Sequence, residues 1–481
     1  MSRINTNVSS LIAVNTLNKN NTSLQTSLQR LSTGFRINSG KDDPAGLIAS
    51  ESLRAEQQAT STAISNAQRA DNVIGTAEGS LGEVSNLLVS LQGLVGDASN
   101  KAGLSQDEKD ADQLQVDSIL STINRISNSA SFEGVKLLNG TFDYSTSGIS
   151  TTSAFTSVSI NSAKVGSTTL AVTVSVVTSA QTGQLNFLGS SSGLNGAAAL
   201  SLAGNTGTVQ LSFASSTKSS AIVASVNQFK DSTGVEATLS ADNKSVKFTS
   251  TGFGASQFIS VSSNNATAVA TKDSSGVATT TDYGRNATVT VNGAAVQSDG
   301  LTVKVVTANL EADLTLNSTV NSNGKSKTFG VTGGGATFSL GAQVNTANAA
   351  SIGIGNLNTG SIGKVVSNGT LYTLADLGSG KAAAVNSGDT GLAQNLVNRA
   401  IKDVAGLRGR LGAFQKNVLG STINSLNVAL ENVSSSQSAI RDTDFATETA
   451  NLTRNQILVQ AAGSVLSQAN QSPQSVLRLL G

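Results

Sequence analysis

The 481-residue chain has no cysteine, no histidine and no tryptophan, only two prolines and three tyrosines, and a single methionine at its start. Without cysteine or histidine the usual ligands of zinc, haem and iron–sulfur clusters are missing, as are Cys–His and Ser–His–Asp nucleophile arrangements and the H-E-x-x-H metalloprotease motif. Carboxylates, lysines and tyrosines remain for glycosidase-type chemistry, but aromatics at 4% give little with which to line a sugar cleft. The expectation is no enzymatic activity and no cofactor or metal. Charged residues make up 13% and the net charge is +1, so electrostatics recommends no nucleic acid. No apolar run nears the roughly 18 residues needed to cross a bilayer, and residues 1–20 lack the basic start and apolar core of a secretory signal, so no membrane insertion is expected.

What the chain does have is helical seams at both ends. Leu11, Val14, Leu17, Leu24, Leu28 and Leu31 recur at helical spacings interrupted by Asn21, and Leu452, Val459, Ala462, Leu466, Ala469, Val476 and Leu480 repeat the pattern near the other terminus. An unpaired apolar stripe about 30 residues long is a liability in a monomer, so self-association is expected; an ordinary intrachain helix pair is the alternative. The sparse apolar content of both stretches predicts that they become ordered only in an assembly.

The length allows about three domains. Ser32-Thr33-Gly34 closes the first helix, and Asp42-Asp43-Pro44 opens a second, the carboxylates reading as caps rather than as a cation site. Ala63, Ala67, Ala70, Ile74, Ala77, Leu81, Val84, Leu88, Leu91 and Val95 then follow alternating steps of four and three. A continuous helix from Pro44 to about Asp97 would be roughly 80 Å long, although Gly75, Gly79, Gly82, Gly93 and Gly96 weaken it. Another helix is expected from Gln106 to about Ser127. Helix returns near Leu392 with Val397, Ala400, Val404, Leu407, Leu411, Phe414 and Val418, shifts register, and continues through Ile423, Leu426, Leu430, Val433 and Ile440.

Between these flanks charge thins and Gly, Ser and Thr multiply. Thr168–Val177, Thr208–Phe213, Ser245–Thr249, Ala287–Val291, Leu301–Val306 and Ala312–Leu316 read as strands, and Asn292-Gly293 as a hairpin turn. The fold class is therefore α+β: a long α-helical coiled-coil or bundle core built from both termini, with a β-rich central insertion of one or two domains projecting outward. The expected boundaries are 1–43 with 448–481 for a terminal coiled-coil polymerisation domain, 44–142 with 391–447 for a helical bundle, and 143–390 for the outer β-rich part.

Phosphate-loop motifs fail on inspection. Gly324-Lys325-Ser326 has Thr319 where the first glycine is required, and Gly380-Lys381 is followed by Ala382 instead of a hydroxyl; Gly353-Ile354-Gly355 lacks its third glycine. Arg30, Arg408 and Arg410 stand in helices that supply no carboxylate for them, which leaves intermolecular pairing and a solvated face as equal readings. With Leu81, Val84, Leu88, Leu91, Val404, Leu411 and Phe414, the two later arginines are taken as bundle contacts.

Ile4-Asn5-Thr6-Asn7, Leu31-Ser32-Thr33-Gly34-Phe35-Arg36-Ile37-Asn38, Lys41-Asp42-Asp43-Pro44-Ala45-Gly46-Leu47 and Phe132-Glu133-Gly134-Val135-Lys136-Leu137-Leu138 together resemble the amino-terminal signature of bacterial flagellins. Arg408-Gly409-Arg410-Leu411-Gly412-Ala413, Ser438-Ala439-Ile440-Arg441-Asp442-Thr443-Asp444 and the run from Gln471 to Leu480 resemble the carboxy-terminal one. The resemblance implies a filament subunit for swimming whose terminal helices line a channel, with variable β domains outside. It implies a homopolymer in an extracellular flagellum, export through the flagellar type III apparatus with an export chaperone, growth under a cap protein, and contact with hook-associated junction proteins. A hook–filament junction protein and a secreted adhesin are the alternative functions. One departure stands out: flagellins seen by the innate immune receptor carry a motif resembling L-Q-R-x-R-E-L, where this chain has Leu88-Val89-Ser90-Leu91-Gln92-Gly93-Leu94. Weak recognition by that receptor is expected.

Overall fold

Asn7 opens helix α1 (Val8–Thr33) by accepting the Ser10 backbone N–H at 3.0 Å, and Gly34, at φ 75°, closes it in the left-handed conformation. The computed structural model describes residues 6–100, 103–149, 154–165, 169–188, 193–241, 244–367 and 370–480, without the side chains of Thr346 and of residues 472–480. Ile4 and Asn5 of the first motif, the Val476 and Leu480 side chains of the terminal seam, and Thr168 of an expected strand lie outside the described residues.

Helix α2 (Pro44–Ala98) begins where the sequence places it. Asp43 accepts the Gly46 N–H at 2.9 Å, and Asp42 accepts the N–H groups of Ser39 and Asn38 at 2.8 and 3.1 Å, so both carboxylates are engaged by the backbone. All ten positions of its predicted seam are buried, none more than 1% exposed. A Cβ added at Gly79, Gly82, Gly93 or Gly96 would meet nothing within 4 Å, so these glycines are not needed for close packing. Helix α3 (Gln106–Ser129) runs two residues past the expected end and starts in a capping box formed by Ser105 and Glu108.

The central part is strand-rich. After the short hairpin β1 (Ser131–Phe132) and β2 (Val135–Lys136) come β3 (Tyr144–Ser147), β4 (Phe155–Ala163), β5 (Leu170–Thr178), β6 (Gln184–Leu188), β7 (Ala198–Gly204) and β8 (Thr208–Phe213). Helices α4 (Ser219–Gln228) and α5 (Lys230–Thr233) precede β9 (Val235–Leu239), β10 (Ser245–Ser250), β11 (Phe258–Ser263), β12 (Thr271–Lys272) and β13 (Thr281–Tyr283). The remainder is β14 (Thr288–Val291), β15 (Ala294–Asp299), β16 (Thr302–Val306), β17 (Leu310–Leu316), β18 (Ser326–Gly334), β19 (Ala336–Ser339), β20 (Ala349–Ile352), β21 (Val365–Ser367) and β22 (Thr370–Tyr372). Asn292 and Gly293, both at positive φ, make the two-residue turn between β14 and β15.

Helix α6 (Thr390–Ala413) passes through a π-helical turn, Phe414–Gly420, into α7 (Ser421–Arg441), and α8 (Phe445–Leu480) completes the chain. The π turn is the physical form of the register shift. One extra residue moves the buried position from Val418, where a strict heptad would put it, to Leu419, which is fully buried while Val418 is half-buried.

The chain divides into two compact units. One comprises Met1–Asp71, Ser339–Ala349 and Lys416–Gly481; the other comprises Asn72–Phe338 and Ala350–Gln415. The second unit contains two β cores. In one, an eight-stranded sheet, in the order β3-β18-β5-β14-β15-β16-β17-β4, surrounds Phe155 and Phe329, whose rings meet edge to face at 5.5 Å. In the other, the sheets β12-β6-β10-β9 and β13-β11-β7-β8 enclose Phe248, Leu185, Leu202 and Val261 together with Ile222 and Val226 of α4. The same unit holds its helical part through α3, where Gln113 donates to the Leu377 carbonyl at 2.9 Å and accepts the Val385 N–H at 2.8 Å.

Candidate assembly interface

The two terminal helices pair antiparallel within the first unit. Asn7 donates to the Ala469 carbonyl at 2.8 Å, Asn20 to the Leu458 carbonyl at 3.2 Å and Asn455 to the Ser27 hydroxyl at 3.1 Å, while Arg30 and Glu448 pair at 3.7 Å. On α1 the residues withdrawn from solvent include Ala13, Leu17, Asn20, Leu24, Ser27 and Leu31; on α8 they include Glu448, Leu452, Asn455, Val459, Ala462, Leu466 and Ala469. Both sets step by four and three, the spacing of a helix–helix seam. Of all these only Ala13, Ser27, Glu448 and Ala462 are fully buried, so the seam is thin and partly polar.

This placement splits the sequence-predicted α1 seam. Leu17, Leu24 and Leu31 are half-buried in the register of the pair. Leu11, Val14 and Leu28 lie on a different face and are exposed, Leu11 by 57%. Val8 and Ile12 on α1, and Phe445, Ile457, Leu458 and Val465 on α8, are exposed as well. The seam positions that sequence reading missed, Ala13, Asn20 and Ser27, are small or polar and invisible to a search for large apolar side chains. Their spacing of seven was the available signal.

The turns next to this pair are clasped together. The Arg36 N–H donates to the Arg441 carbonyl at 2.7 Å and the Thr443 N–H to the Gly34 carbonyl at 2.9 Å. Arg441 also donates to Glu51 at 2.9 Å and lies 4.8 Å from the centre of the Phe35 ring. Asp444 starts α8 by accepting from the Thr447 hydroxyl at 2.7 Å and the Ala446 N–H at 2.9 Å; those bonds, the Thr447 hydroxyl first, hold its carboxyl below the usual carboxylate range.

The arginines singled out from the sequence all find partners within the chain. Arg30 meets Glu448, Arg408 meets Glu78 of α2 at 3.6 Å, and Arg410 donates to the Asn161 side chain of β4. Burial pushes the Arg410 guanidinium below its ordinary pKa, opposed by the charges of Asp313, Glu311 and Asp143. Leu81, Val84, Leu88, Leu91, Val404, Leu411 and Phe414 are all buried in the second unit. Val89, Ser90, Gln92 and Gly93 are exposed, and Gln92 donates to Asn398 at 3.1 Å. A cavity of about 690 Å³ in that unit is lined by Asp143, Lys364, Arg399, Asp403 and Arg410 among other residues, but by no aromatic side chain among the described residues. Among the described residues no three Asp or Glu side chains gather as a metal site.

A chain with helical ends that leave apolar rows in solvent, and with its polar side chains spent on caps, clasps and seams, has the features of a self-assembling structural subunit. Family comparison agrees in detail. Residues 4–143 match the bacterial flagellin N-terminal helical region, 395–480 the bacterial flagellin C-terminal helical region, and 199–252, spanning β7 to β10 with α4, the flagellin hook IN motif. A flagellin of Salmonella rubislaw is 32% identical over 520 residues, and flagellin D of Vibrio anguillarum 30% identical over 484, each alignment covering 99% of both chains. The chain belongs to the bacterial flagellins, structural subunits that polymerise into the flagellar filament for swimming.

Proposed function

We propose that the chain polymerises through the ends of its first unit, residues 1–43 with 448–481, and that Leu11, Val14 and Leu28 face neighbouring subunits while Leu17, Leu24 and Leu31 pack with Leu452, Val459, Ala462 and Leu466 inside the subunit. Val476 and Leu480 are assigned to the same assembly region. Residues 44–142 with 391–447 serve as the bundle, and 143–390 as the outer part. The observation that supports this reading is the exposed apolar row on α1, which the described side chains of its own chain leave largely open to solvent. The chain has no catalytic role. It leaves the cell through the type III apparatus with an export chaperone, is added beneath the cap protein, and adjoins hook-associated junction proteins at the filament base.

Leu11→Asp tests the assignment. Solvent already reaches Leu11, so a carboxylate there leaves the monomer folded; buried between subunits it is an unpaired charge costing several kcal/mol at every contact. Loss of polymerisation with unchanged monomer circular dichroism is expected, and normal filament yield would remove Leu11 from the interface. The exposed Ser90 and Gly93 offer no arginine fork to the immune receptor, so purified monomer should be a weak agonist, down by about thirtyfold or more. Full potency in a reporter assay is the contrary result.

A further inference from the structure

Asparagine is followed directly by glycine at Asn139, Asn195, Asn292, Asn323 and Asn368. These steps share a chemical weakness. A glycine has no Cβ to hinder its backbone nitrogen, which can reach the side-chain carbonyl carbon of the asparagine before it. The reaction needs a carboxamide free to turn its face to that nitrogen, and the fold grants this freedom unequally.

Asn292, in the turn between β14 and β15, accepts the Thr173 N–H through Oδ1 at 2.8 Å and donates to the Ala171 carbonyl at 3.3 Å, so both ends of its amide are fixed to β5. Asn323 accepts the Ser179 N–H at 2.7 Å, and Asn139 accepts the Thr141 N–H at 3.1 Å and the Thr141 hydroxyl at 2.7 Å. Asn368 lies outside the described residues. Asn195 differs from the other three. Its side chain is exposed, and among the described residues no hydrogen bond holds its carboxamide or the Gly196 N–H. The chain on either side is anchored. The Leu194 N–H donates to the Thr217 carbonyl at 3.0 Å, the Leu194 carbonyl accepts the Ser216 N–H at 2.8 Å, and the Ala197 carbonyl accepts the Asn265 side-chain amide at 3.2 Å. The reactive pair stands free between fixed neighbours.

We infer that Asn195 and Gly196 form a site of spontaneous covalent modification in the folded chain, with water as co-reactant and a carboxylate as product. A base takes the Gly196 amide proton, the nitrogen bonds to Cγ of Asn195, and the bond from Cγ to the carboxamide nitrogen breaks. Ammonia leaves with the proton returned to it, and a cyclic imide remains. Water then adds to one of the two ring carbonyls and displaces the ring nitrogen from it. Opening at Cγ gives aspartate; opening at the main-chain carbonyl gives isoaspartate. Water is consumed and ammonia released in equal amounts, and nothing is oxidised or reduced. Isoaspartate routes the backbone through the former side chain and lengthens it just ahead of β7, whose first residue Ala198 pairs with Phe213. Modified chains therefore carry a loosened entry to that strand.

Purified full-length protein is held in mildly alkaline buffer, folded or unfolded in urea, and peptides containing Asn139, Asn195, Asn292 and Asn323 are followed over time by mass spectrometry. Each site is compared with its own rate in the unfolded chain, which removes the effect of neighbouring sequence. In the folded chain Asn195 should convert within about threefold of its unfolded rate, and the other three at least about tenfold below theirs, because a hydrogen bond must open before the amide can turn. Isoaspartate should appear at position 195 together with aspartate. Suppression of Asn195 equal to that of the others overturns the inference, and so does conversion of Asn292 and Asn323 at their unfolded rates, since the fold would then select nothing. Aspartate at position 195 without isoaspartate overturns the imide route.

Discussion

The terminal helix pair and the β cores solve opposite problems with the same short list of residues. In the two β cores Val172, Val289, Val303, Leu314, Phe248 and Val261 are withdrawn from water to 2% or less, whereas the α1–α8 seam fully buries only two alanines, a serine and a glutamate among its described side chains. At about 25 cal/mol per Å² of apolar surface, each residue of the first arrangement contributes more to stability than a half-buried residue of the second. A seam that is finished inside one chain leaves nothing for a neighbour. In the proposed reading an unfinished seam makes folding of the ends depend on assembly, and the exposed Leu11, Ile12 and Val465 offer the surface by which a neighbour would complete it.

The largest effect that can break this contrast is Leu11→Asp, expected to abolish assembly and leave the monomer intact. The converse is Phe248→Ala. Removing a fully buried ring from the second β core should destabilise that core by about 3–5 kcal/mol, visible as an earlier melting step, while filaments still assemble at temperatures where the bundle is folded. Loss of assembly in that variant would mean the β core supports polymerisation and the two regions are not independent.

A smaller effect comes from acid. Asp444 at the start of α8 and Asp42 in the turn before α2 accept their hydrogen bonds more strongly when ionised, and their folded-state pKa values lie below the ordinary carboxylate range, for Asp444 chiefly through the Thr447 hydroxyl and for Asp42 chiefly through the Ser39 N–H. A depressed folded pKa contributes stability above the unfolded pKa of about 3.9, and that stability is lost as pH falls through the folded value. Helicity of the terminal region should therefore decline below about pH 4, and Asp444→Asn should flatten its share of the decline. An unchanged profile in that variant would show that the cap at Asp444 is energetically silent.

The part of the fold that was legible in the sequence is the part built from large side chains at regular spacing. The α2 seam from Ala63 to Val95 needed only counting, and Gly34, Pro44 and Asn292-Gly293 marked their turns by backbone preference. Strands such as β7, Ala-Ala-Leu-Ser-Leu-Ala-Gly, were not legible because small residues carry little β preference and are buried only by their partners. Helix α4 was hidden inside a strand-rich stretch, although Ile222 and Val226 stand one helical turn apart. In the assembly region Leu17 and Leu11 look alike in sequence; which one faces α8 is decided by Ala13, Asn20 and Ser27, whose small or hydrogen-bonding side chains let the helices approach.

In the proposed reading the ends are completed by assembly while the second unit is complete in the monomer. Amide hydrogen exchange, measured residue by residue on dilute monomer and on filaments, tests it most directly. Fast exchange is expected across Val8–Thr33 and the described part of α8 in the monomer, with strong protection of both in the filament and protection of β14, β16 and β17 in both states. Protection of α1 in the monomer equal to that of β17 would contradict it.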